Sequence, residues 1–378
     1  MPKVPQIVDN GKVLNNISQM FDKMHTHFVQ SAAIPSASDF VDSLPQRDMR
    51  SWPAFSELEL MEALATCSNS SAPGPSHFSW ELLKLFMKDD MFKAFFLKLA
   101  NDIIQVGIWP DTFKQSTTVI IPKPKKDDYS KAKSYRPIAL LEWPGKLISK
   151  LIAARLQSNI SIYDIAHPLQ FGGRKHHSTL DAGLFITEYI TKARNAGLYT
   201  TALALDAAQF FPSLNKAIIV KILSKVGFNP VICRLFDNYY DGRSTKYLWN
   251  QHFLGNYNVN NGVPQGDPLS PIISIIYMSA MLQQLFPFEG HRDTQCLSYI
   301  NDFMLLTASP SLETNVDQLE DSFILLSHAF NMLGIMVETS KTELMHFAAK
   351  QKQNGPGRRP LCFETIHSLL PSIELHPT

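Results

Sequence analysis

The nine residues S-Y-I-N-D-F-M-L-L, from Ser298 to Leu306, decide the fold of this 378-residue chain. Two short runs of apolar or β-branched residues meet at Asn301-Asp302, which is the pattern of a β-hairpin. The flanks are apolar enough to be buried, yet a carboxylate lies at the tip. By itself this pattern also fits an ordinary turn between buried strands, so its meaning depends on the rest of the chain.

Two upstream stretches give the hairpin its context. L-A-L-D-A-A-Q-F-F-P-S-L, from Leu203 to Leu214, is an apolar strand interrupted by Asp206. N-G-V-P-Q-G-D-P-L-S-P, from Asn261 to Pro271, is a turn rich in glycine and proline. Carboxylates on neighbouring strands can converge on one point, and carboxylate oxygens are the ligands that Mg²⁺ prefers. The order of these stretches therefore predicts a carboxylate site built from Asp206 and the hairpin tip.

Composition excludes several classes of protein. Hydrophobic residues make up 45% of the chain and its formal net charge is +1, so we expect a globular protein whose basic surface, if any, is local. The four cysteines form no Cys-x-x-Cys pair, which argues against a zinc finger or a disulfide framework and fits a reducing compartment. The start lacks the apolar core of a signal peptide. Pro271 to Phe286 carries polar residues, which favours a buried helix over a membrane span. We expect an intracellular protein, nuclear or cytoplasmic, without membrane contact.

Periodic patterns predict an α+β fold. Ser56 and Glu59 have the spacing of a capping box before a helix. Further helices are predicted within Trp80–Val106, Lys146–Ile160, Lys216–Val226 and Leu319–Leu333, and strands from Thr117, at Ile335–Val337 and at Glu343–Phe347. Strand-helix, hairpin and helix-strand in this order is the split βαβ plan of an antiparallel sheet with helices packed on one face.

The concentrated basic stretch of the chain has two interpretations. Its members are Lys123, Lys125, Lys126, Lys131, Lys133 and Arg136. Such a run is usually a solvated loop, and contact with nucleic acid is the alternative. A smaller basic cluster, Gly172-Gly173-Arg174-Lys175, follows Phe171.

The combined motifs resemble the palm of reverse transcriptases, and most of the chain resembles those of non-LTR (LINE-type) retrotransposons, particularly their fungal relatives. Other matching segments are S-A-P-G-P, V-I-I-P-K-P, S-Y-R-P-I, L-Q-F-G-G-R and T-S-K-T-E-L-M-H-F. The resemblance implies an RNA-directed DNA polymerase with fingers and palm of a right hand. It would act on an RNA template, a DNA primer and deoxynucleoside triphosphates with two Mg²⁺ ions, for which Mn²⁺ can substitute.

The resemblance also implies the catalytic residues. Asp206 and Asp302 match metal-binding carboxylates, and Asn301 occupies the position of a third, because the family pattern Tyr-x-Asp-Asp reads Tyr-Ile-Asn-Asp here. An amide oxygen can still contact magnesium but brings no negative charge. Lys341 matches a lysine thought to protonate the departing pyrophosphate, and an ordinary solvated turn lysine is the alternative.

Five residues match positions that bind the nucleotide. Lys123 and Arg136 match fingers residues that hold the triphosphate, where a guanidinium can bind two oxygens at once. Phe211 matches an aromatic residue that excludes a 2′ hydroxyl, which is compatible with simple core packing. Gln265 and Gly266 match a turn against the template and the incoming base, where glycine allows close backbone approach. The basic residues assigned to nucleic acid are Lys125, Lys126 and Arg174.

The matched motifs divide the chain into a partly ordered lead-in (1–54), fingers (55–198), a palm with the metal-site motifs (199–349) and a tail (350–378). The tail would stop before the primer grip and thumb. The family's endonuclease and cysteine-rich segment have no counterpart in the sequence. We therefore expect a fragmentary or decaying copy of a mobile element.

Two functions are compatible with the sequence. The first is a two-metal reverse transcriptase impaired by Asn301 and by truncation. The second is a catalytically dead palm that only binds RNA or protein. In either case we expect Asp206 and Asp302 at the tips of adjacent antiparallel strands, with Asn301 facing Asp206.

Overall fold

Helices and strands form an α+β arrangement in the structure, a computed structural model that describes residues 6–29, 39–287 and 294–347. The helices are α1 (Ile17–Phe28), α2 (Asp39–Asp42), α3 (Glu57–Ala65), α4 (Trp80–Phe86), α5 (Asp90–Val106), α6 (Trp143–Ile162), α7 (Thr179–Asn195), α8 (Phe210–Ser213), α9 (Lys216–Lys225), α10 (Pro230–Tyr240), α11 (Leu269–Leu285) and α12 (Leu312–Met332). The strands are β1 (Ile7–Asp9), β2 (Lys12–Leu14), β3 (Gln115–Pro122), β4 (Tyr135–Leu141), β5 (Tyr199–Ala208), β6 (Ser244–Trp249), β7 (His252–Asn258), β8 (Thr294–Tyr299), β9 (Asp302–Ser309), β10 (Met336–Val337) and β11 (Glu343–Phe347). The predicted α+β class is confirmed, and the predicted tail 350–378 lies outside the described residues.

Local signals set several helix boundaries. At the start of α3 the Ser56 hydroxyl accepts the Glu59 N–H at 3.3 Å, and the Glu59 carboxylate accepts the Ser56 N–H at 2.8 Å, so the predicted capping box is formed. Gly334, with φ +76°, follows the end of α12 as predicted. Helix α11 is almost entirely buried, which confirms the core helix. Within the described ranges, we find no helix with the length and apolar character needed to cross a membrane.

The described residues form two compact units. The first comprises the described parts of Met1–Pro35, Val41–Asn159 and Phe211–Ile273. The second comprises those of Ser36–Phe40, Ile160–Phe210 and Ser274–Thr378. Each unit contains its own multistranded β-sheet.

The sheet of the second unit is built around β5. The antiparallel strand β9 lies on one side of β5 and pairs in turn with β8, while β10 and β11 pair with the other side. In the β5–β9 register Asp206 is directly opposite Asp302. Because the hairpin turn starts where this register ends, two carboxylates lie at one edge of the sheet, which confirms their predicted position.

Helices cover both faces of this sheet. Side chains alternate between faces along a strand, and on one face Phe303 packs edge-on against Phe330 of α12, with ring centroids 5.0 Å apart. On the opposite face Ala202 and Leu306 belong to a cluster with Phe185 of α7. The sequence predicted helices on one face of the sheet, and the structure places helices on both faces. Asp206 and Asp302 share the α7 face, because they are an even number of residues from Ala202 and Leu306.

The first unit contains a four-stranded sheet in the order β4-β3-β6-β7. Strands β3 and β4 form an antiparallel pair, and β6 joins β3 in parallel. Helix α1 packs against this sheet through Phe21 and Met24, which share a buried cluster with Tyr247 and Trp249. Strands β6 and β7 were not predicted from the sequence. They extend the sheet whose strands β3 and β4 are connected by the basic stretch.

Candidate active site

The hairpin turn consists of Ile300 and Asn301, one residue earlier than the predicted Asn301-Asp302. The reason is that Asp302 already pairs with Tyr299 and with Asp206 as the first residue of β9. Ile300 has a φ of +61°, in the left-handed region that β-branched residues rarely occupy. Holding an L-residue there costs on the order of 1–2 kcal/mol. Such strain persists only where the surrounding structure enforces it, and it concentrates at functional sites.

The L-Q-F-G-G segment holds this strained turn in place. The Phe171 N–H donates to the Ser298 carbonyl at 2.9 Å, and the Ser298 N–H donates to the Leu169 carbonyl at 3.0 Å. The buried Gln170 side chain accepts a hydrogen bond from the Ser298 hydroxyl. A Cβ added at Gly172 would lie 2.5 Å from the Ile300 nitrogen, so only glycine fits at that point. This supporting role was not predicted from the sequence, where the glycine pair at 172–173 was the available signal.

Asp206 is the centre of a small polar network. The Asn301 amide Nδ2 donates to Asp206 Oδ1 at 2.7 Å. The Lys341 ammonium donates to the other oxygen, Oδ2, of the same carboxylate. The Asp206 side chain is only 12% exposed, whereas that of Lys341 is 56% exposed. Asn301 therefore faces Asp206 as predicted, and Lys341 is the counter-ion of Asp206 rather than an unattached turn lysine.

The Asp206 carboxylate affects the pKa of Asp302. Partial burial and the neighbouring Asp206 carboxylate raise the pKa of Asp302, while the Lys341 ammonium opposes this shift. Paired carboxylates repel each other, and an added cation relieves that repulsion. The site therefore combines two carboxylates, which favour a cation, with one internal ammonium group, that of Lys341, which neutralises part of their charge.

Reverse transcriptases generally use divalent metal ions. Among the described residues no group of three or more His, Cys, Asp and Glu side chains could hold a metal ion. Asp206 and Asp302 nevertheless supply the one or two carboxylates by which Mg²⁺ is commonly held, together with phosphate oxygens of a substrate. This donor set fits a divalent ion, although Asn301 supplies an amide where a third carboxylate would add charge.

The structure places Lys123 and Arg136 on the β3–β4 hairpin of the first unit. Lys123 follows β3, its N–H donates to the Ser134 carbonyl, and its ammonium donates to the Lys133 carbonyl, each at 2.8 Å. Arg136 lies on β4 opposite Ile121, and its exposed guanidinium makes no hydrogen bond or ion pair with the described part of the chain. Arg136 is thus available to an anionic ligand.

Gln265 and Gly266 lie against β4 in the same unit. The Ala139 N–H donates to the Gln265 carbonyl at 2.7 Å. Gly266 has a φ of +116°, and an added Cβ would lie 2.6 Å from the Ala139 carbonyl oxygen, which explains the glycine. Phe211 lines a cavity together with this turn. Three of the predicted nucleotide-binding residues therefore converge.

The residues assigned to nucleic acid differ in their surroundings. Lys125 and Lys126 are exposed in the loop between β3 and β4. Arg174 is partly buried in the second unit, where its guanidinium donates to the carbonyls of His167 and Gln170, both at 3.2 Å. Burial lowers the pKa of Arg174. Arg174 therefore braces the segment that supports the hairpin turn.

Known reverse transcriptases are similar to this chain in sequence. The family model described as reverse transcriptase (RNA-dependent DNA polymerase) matches residues 121–362. The probable RNA-directed DNA polymerase from transposon X-element of Drosophila melanogaster is 25% identical over 323 residues, covering 85% of this chain and 35% of that protein. Its counterpart from transposon BS of the same species is 27% identical over 307 residues, covering 78% and 32%.

The Pol polyprotein from the type-2 retrotransposable element R2DM of Drosophila melanogaster is 24% identical over 349 residues, covering 90% of this chain and 31% of that protein. This chain thus spans about a third of the length of these curated relatives. Among solved structures, apo telomerase from Candida tropicalis truncated from its C-terminal domain has a TM-score of 0.45 and 13% identity, covering 73% of this chain and 57% of that one. Because the family model covers well over half of its residues, this chain belongs to the reverse transcriptase (RNA-dependent DNA polymerase) family, among those of non-LTR retrotransposons.

Proposed function

We propose that this chain carries out RNA-templated DNA synthesis with reduced activity, as the fingers (55–198) and palm (199–349) of a non-LTR retrotransposon reverse transcriptase. The observation that carries the proposal is the register of β5 and β9, in which Asp206 and Asp302 are directly opposite each other beside the hairpin turn. Directly opposed residues of an antiparallel pair have Cα atoms about 4.5–5.5 Å apart. Both carboxylates can therefore reach one ion.

Each site residue has a defined task in this proposal. Asp206 and Asp302 hold the divalent ions, preferentially Mg²⁺, which supply charge stabilisation and an activated 3′ oxygen when bound. Lys341, next to Asp206, provides the proton for the leaving pyrophosphate. Lys123 and Arg136 hold the triphosphate of the incoming nucleotide.

Two further residues select the substrate. Phe211 excludes a 2′ hydroxyl and so favours deoxynucleotides over ribonucleotides. The Gln265-Gly266 turn lets the backbone approach the base pair that forms between template and incoming nucleotide. The partners implied are an RNA template, a DNA primer and deoxynucleoside triphosphates.

The internal network supports the reduced activity. Asn301 lacks the negative charge of the family aspartate, and its amide hydrogen occupies one oxygen of Asp206. Lys341 occupies the other oxygen. A metal ion that binds both oxygens of Asp206 competes with these two partners. This closed network also favours the second candidate, a palm remnant that only binds RNA or protein.

Primer extension on an RNA template with Mg²⁺ separates the two candidates. The assay uses this chain and its Asn301→Asp form. We expect Asn301→Asp to extend primers with deoxynucleotides, and Asp206→Asn in that background to abolish extension. RNA binding without extension by the Asn301→Asp form would establish the binding-only alternative.

A further inference from the structure

A cavity of about 520 Å³ lies within the first unit, next to the Gln265-Gly266 turn. The loop after α3, the Trp80 side chain and helix α6 form its other walls. The charged groups that line it are two ammonium groups, of Lys146 and Lys150, and one carboxylate, of Asp267. The balance of these charges decides what the cavity can bind.

Lys146 is an incompletely satisfied cation. It is half-buried, and its ammonium makes no hydrogen bond or ion pair with the described residues. Burial lowers the pKa of Lys146, with Lys150 adding to this effect and Asp267 opposing it. A desolvated ammonium without a partner is costly, and an incoming anion would relieve that cost.

Lys150 adds a second positive charge one helical turn further along α6. Its ammonium donates to the Thr66 hydroxyl at 2.8 Å and lies 3.4 Å from the Thr66 carbonyl oxygen, both neutral acceptors. Residues four apart on a helix lie on one face. The two ammonium groups therefore line the same wall, and neither is neutralised by an acceptor.

Asp267 compensates these two positive charges only in part. Its carboxylate is buried, accepts the Tyr239 hydroxyl and has the buried Arg243 guanidinium as a nearby counter-charge. Burial raises the pKa of Asp267, while the Tyr239 hydroxyl and the Arg243 guanidinium oppose this shift. The cavity thus has a surplus of positive charge.

The rest of the wall suits a phosphate with an attached nucleoside. Ser68 and Ser71 bring hydroxyl groups, and Trp80 and Phe211 bring aromatic surface. Fixed cations beside hydroxyl groups favour phosphate oxygens, and aromatic rings favour sugar or base.

We propose that this cavity binds a phosphate group of a nucleic-acid ligand, with Lys146 and Lys150 as its cationic contacts. The inference rests on the proposed function, because it names how this unit holds the template strand or the incoming nucleotide. Both sources offer the same phosphate chemistry, so the experiment has one arm for each.

The test measures binding of fluorescein-labelled oligouridylate and, separately, of dTTP to the full chain and to its Lys146→Gln/Lys150→Gln form. The matched control is Lys88→Gln/Lys98→Gln, which removes the same charge from exposed positions of the same unit. We expect the Lys146→Gln/Lys150→Gln form to bind one of the two ligands severalfold more weakly. If that ligand is RNA, the log-log salt slope should fall by about 0.7 for each phosphate that the variant no longer binds. The control should leave both ligands and the slope unchanged.

Crosslinking with 4-thiouridine-substituted RNA, or with 4-thio-dUTP, keeps the test independent of variant folding. We expect adducts within residues 66–71 or 265–271 of the unaltered chain. Adducts only elsewhere, with unchanged affinities in a folded Lys146/Lys150 variant, would overturn this inference and leave the proposed function standing. A chain that binds neither RNA nor dTTP would overturn both.

Discussion

At the hairpin of the second unit the Asp206 carboxylate is bonded by its neighbours, whereas in the first unit the side chains of Arg136 and Lys146 have no ion-pair partner among the described residues. Asp206 is bonded on both oxygens, by Asn301 and by Lys341. The side chains of Arg136 and Lys146 make no hydrogen bond or ion pair within the described residues. A metal ion at Asp206 competes with these internal partners, whereas an anion that binds Arg136 or Lys146 has no such side-chain partner to displace. The comparison predicts that ligand affinity depends more strongly on internal partners at Asp206 than at Arg136 and Lys146.

The largest expected effect comes from restoring charge at the hairpin. Asn301→Asp should increase the rate of single-nucleotide incorporation with Mg²⁺ by about a hundred- to several-thousand-fold. The reason is that removing one partner from a buried charge network costs roughly 3–5 kcal/mol and each ~1.4 kcal/mol is tenfold in rate. Single-turnover kinetics measures this, with the exposed Asn256→Asp as control. An equal rate in the unaltered chain would show that position 301 does not hold a metal.

The next effect concerns the basic loop between β3 and β4. Lys125→Gln/Lys126→Gln should weaken RNA binding and reduce the log-log salt slope by up to about 0.7 per phosphate contact. Lys131→Gln is the matched control, because Lys131 is already paired with Asp128 at 3.1 Å. Hydrogen bonds from Ser130, joined by Lys131, lower the pKa of the Asp128 carboxyl to about 2. We expect a smaller change per charge there. Equal changes in RNA affinity per removed charge would mean that the ion pair with Asp128 does not affect how strongly Lys131 contacts RNA.

A third prediction tests the support of the hairpin. Gly172→Ala should destabilise the protein by about 1–3 kcal/mol, because the new methyl group would overlap the backbone of Ile300. Gly183→Ala is the control, since nothing lies within 4 Å of its Cβ position in α7, and it should stabilise by about 0.5–1 kcal/mol. Urea unfolding of both variants gives the comparison. A neutral Gly172→Ala would contradict the close approach of the two segments.

The smallest effect is a titration. Burial, with Lys123, Lys23 and Lys133 adding to it, lowers the pKa of His27 to about 4. The unfolded chain therefore binds more protons than the folded chain between pH 6.5 and about 4, so His27 lowers stability as the pH falls through that window. His27→Gln should flatten the pH dependence of the urea midpoint there. Bound RNA should raise the pKa of His27 slightly in NMR titrations, because phosphates screen the lysines, and no shift would argue against RNA near Lys123.

The candidate site was predicted from the sequence to the extent that it depends on local patterns. The hairpin, the strand carrying Asp206 and the position of Lys341 between two strands were predicted and confirmed. The roles of these residues stay predictions, as does the fungal affinity. Two short apolar runs separated by a tight turn predict a hairpin, because such runs are typical of buried strands and a short turn brings them side by side.

The tertiary structure decided what depends on residues far apart in the chain. Gly172 supports Ile300 across more than a hundred residues. Strand β6 joins β3 in parallel, so that residues 211–273 belong to the first unit. The sequence by itself determined several of the helices and strands and which residues carry charge, because backbone sterics and apolar periodicity act over a few neighbouring residues. Only the folded chain decided which charges meet a partner and which, like Lys146, do not, because that depends on the packing of distant segments.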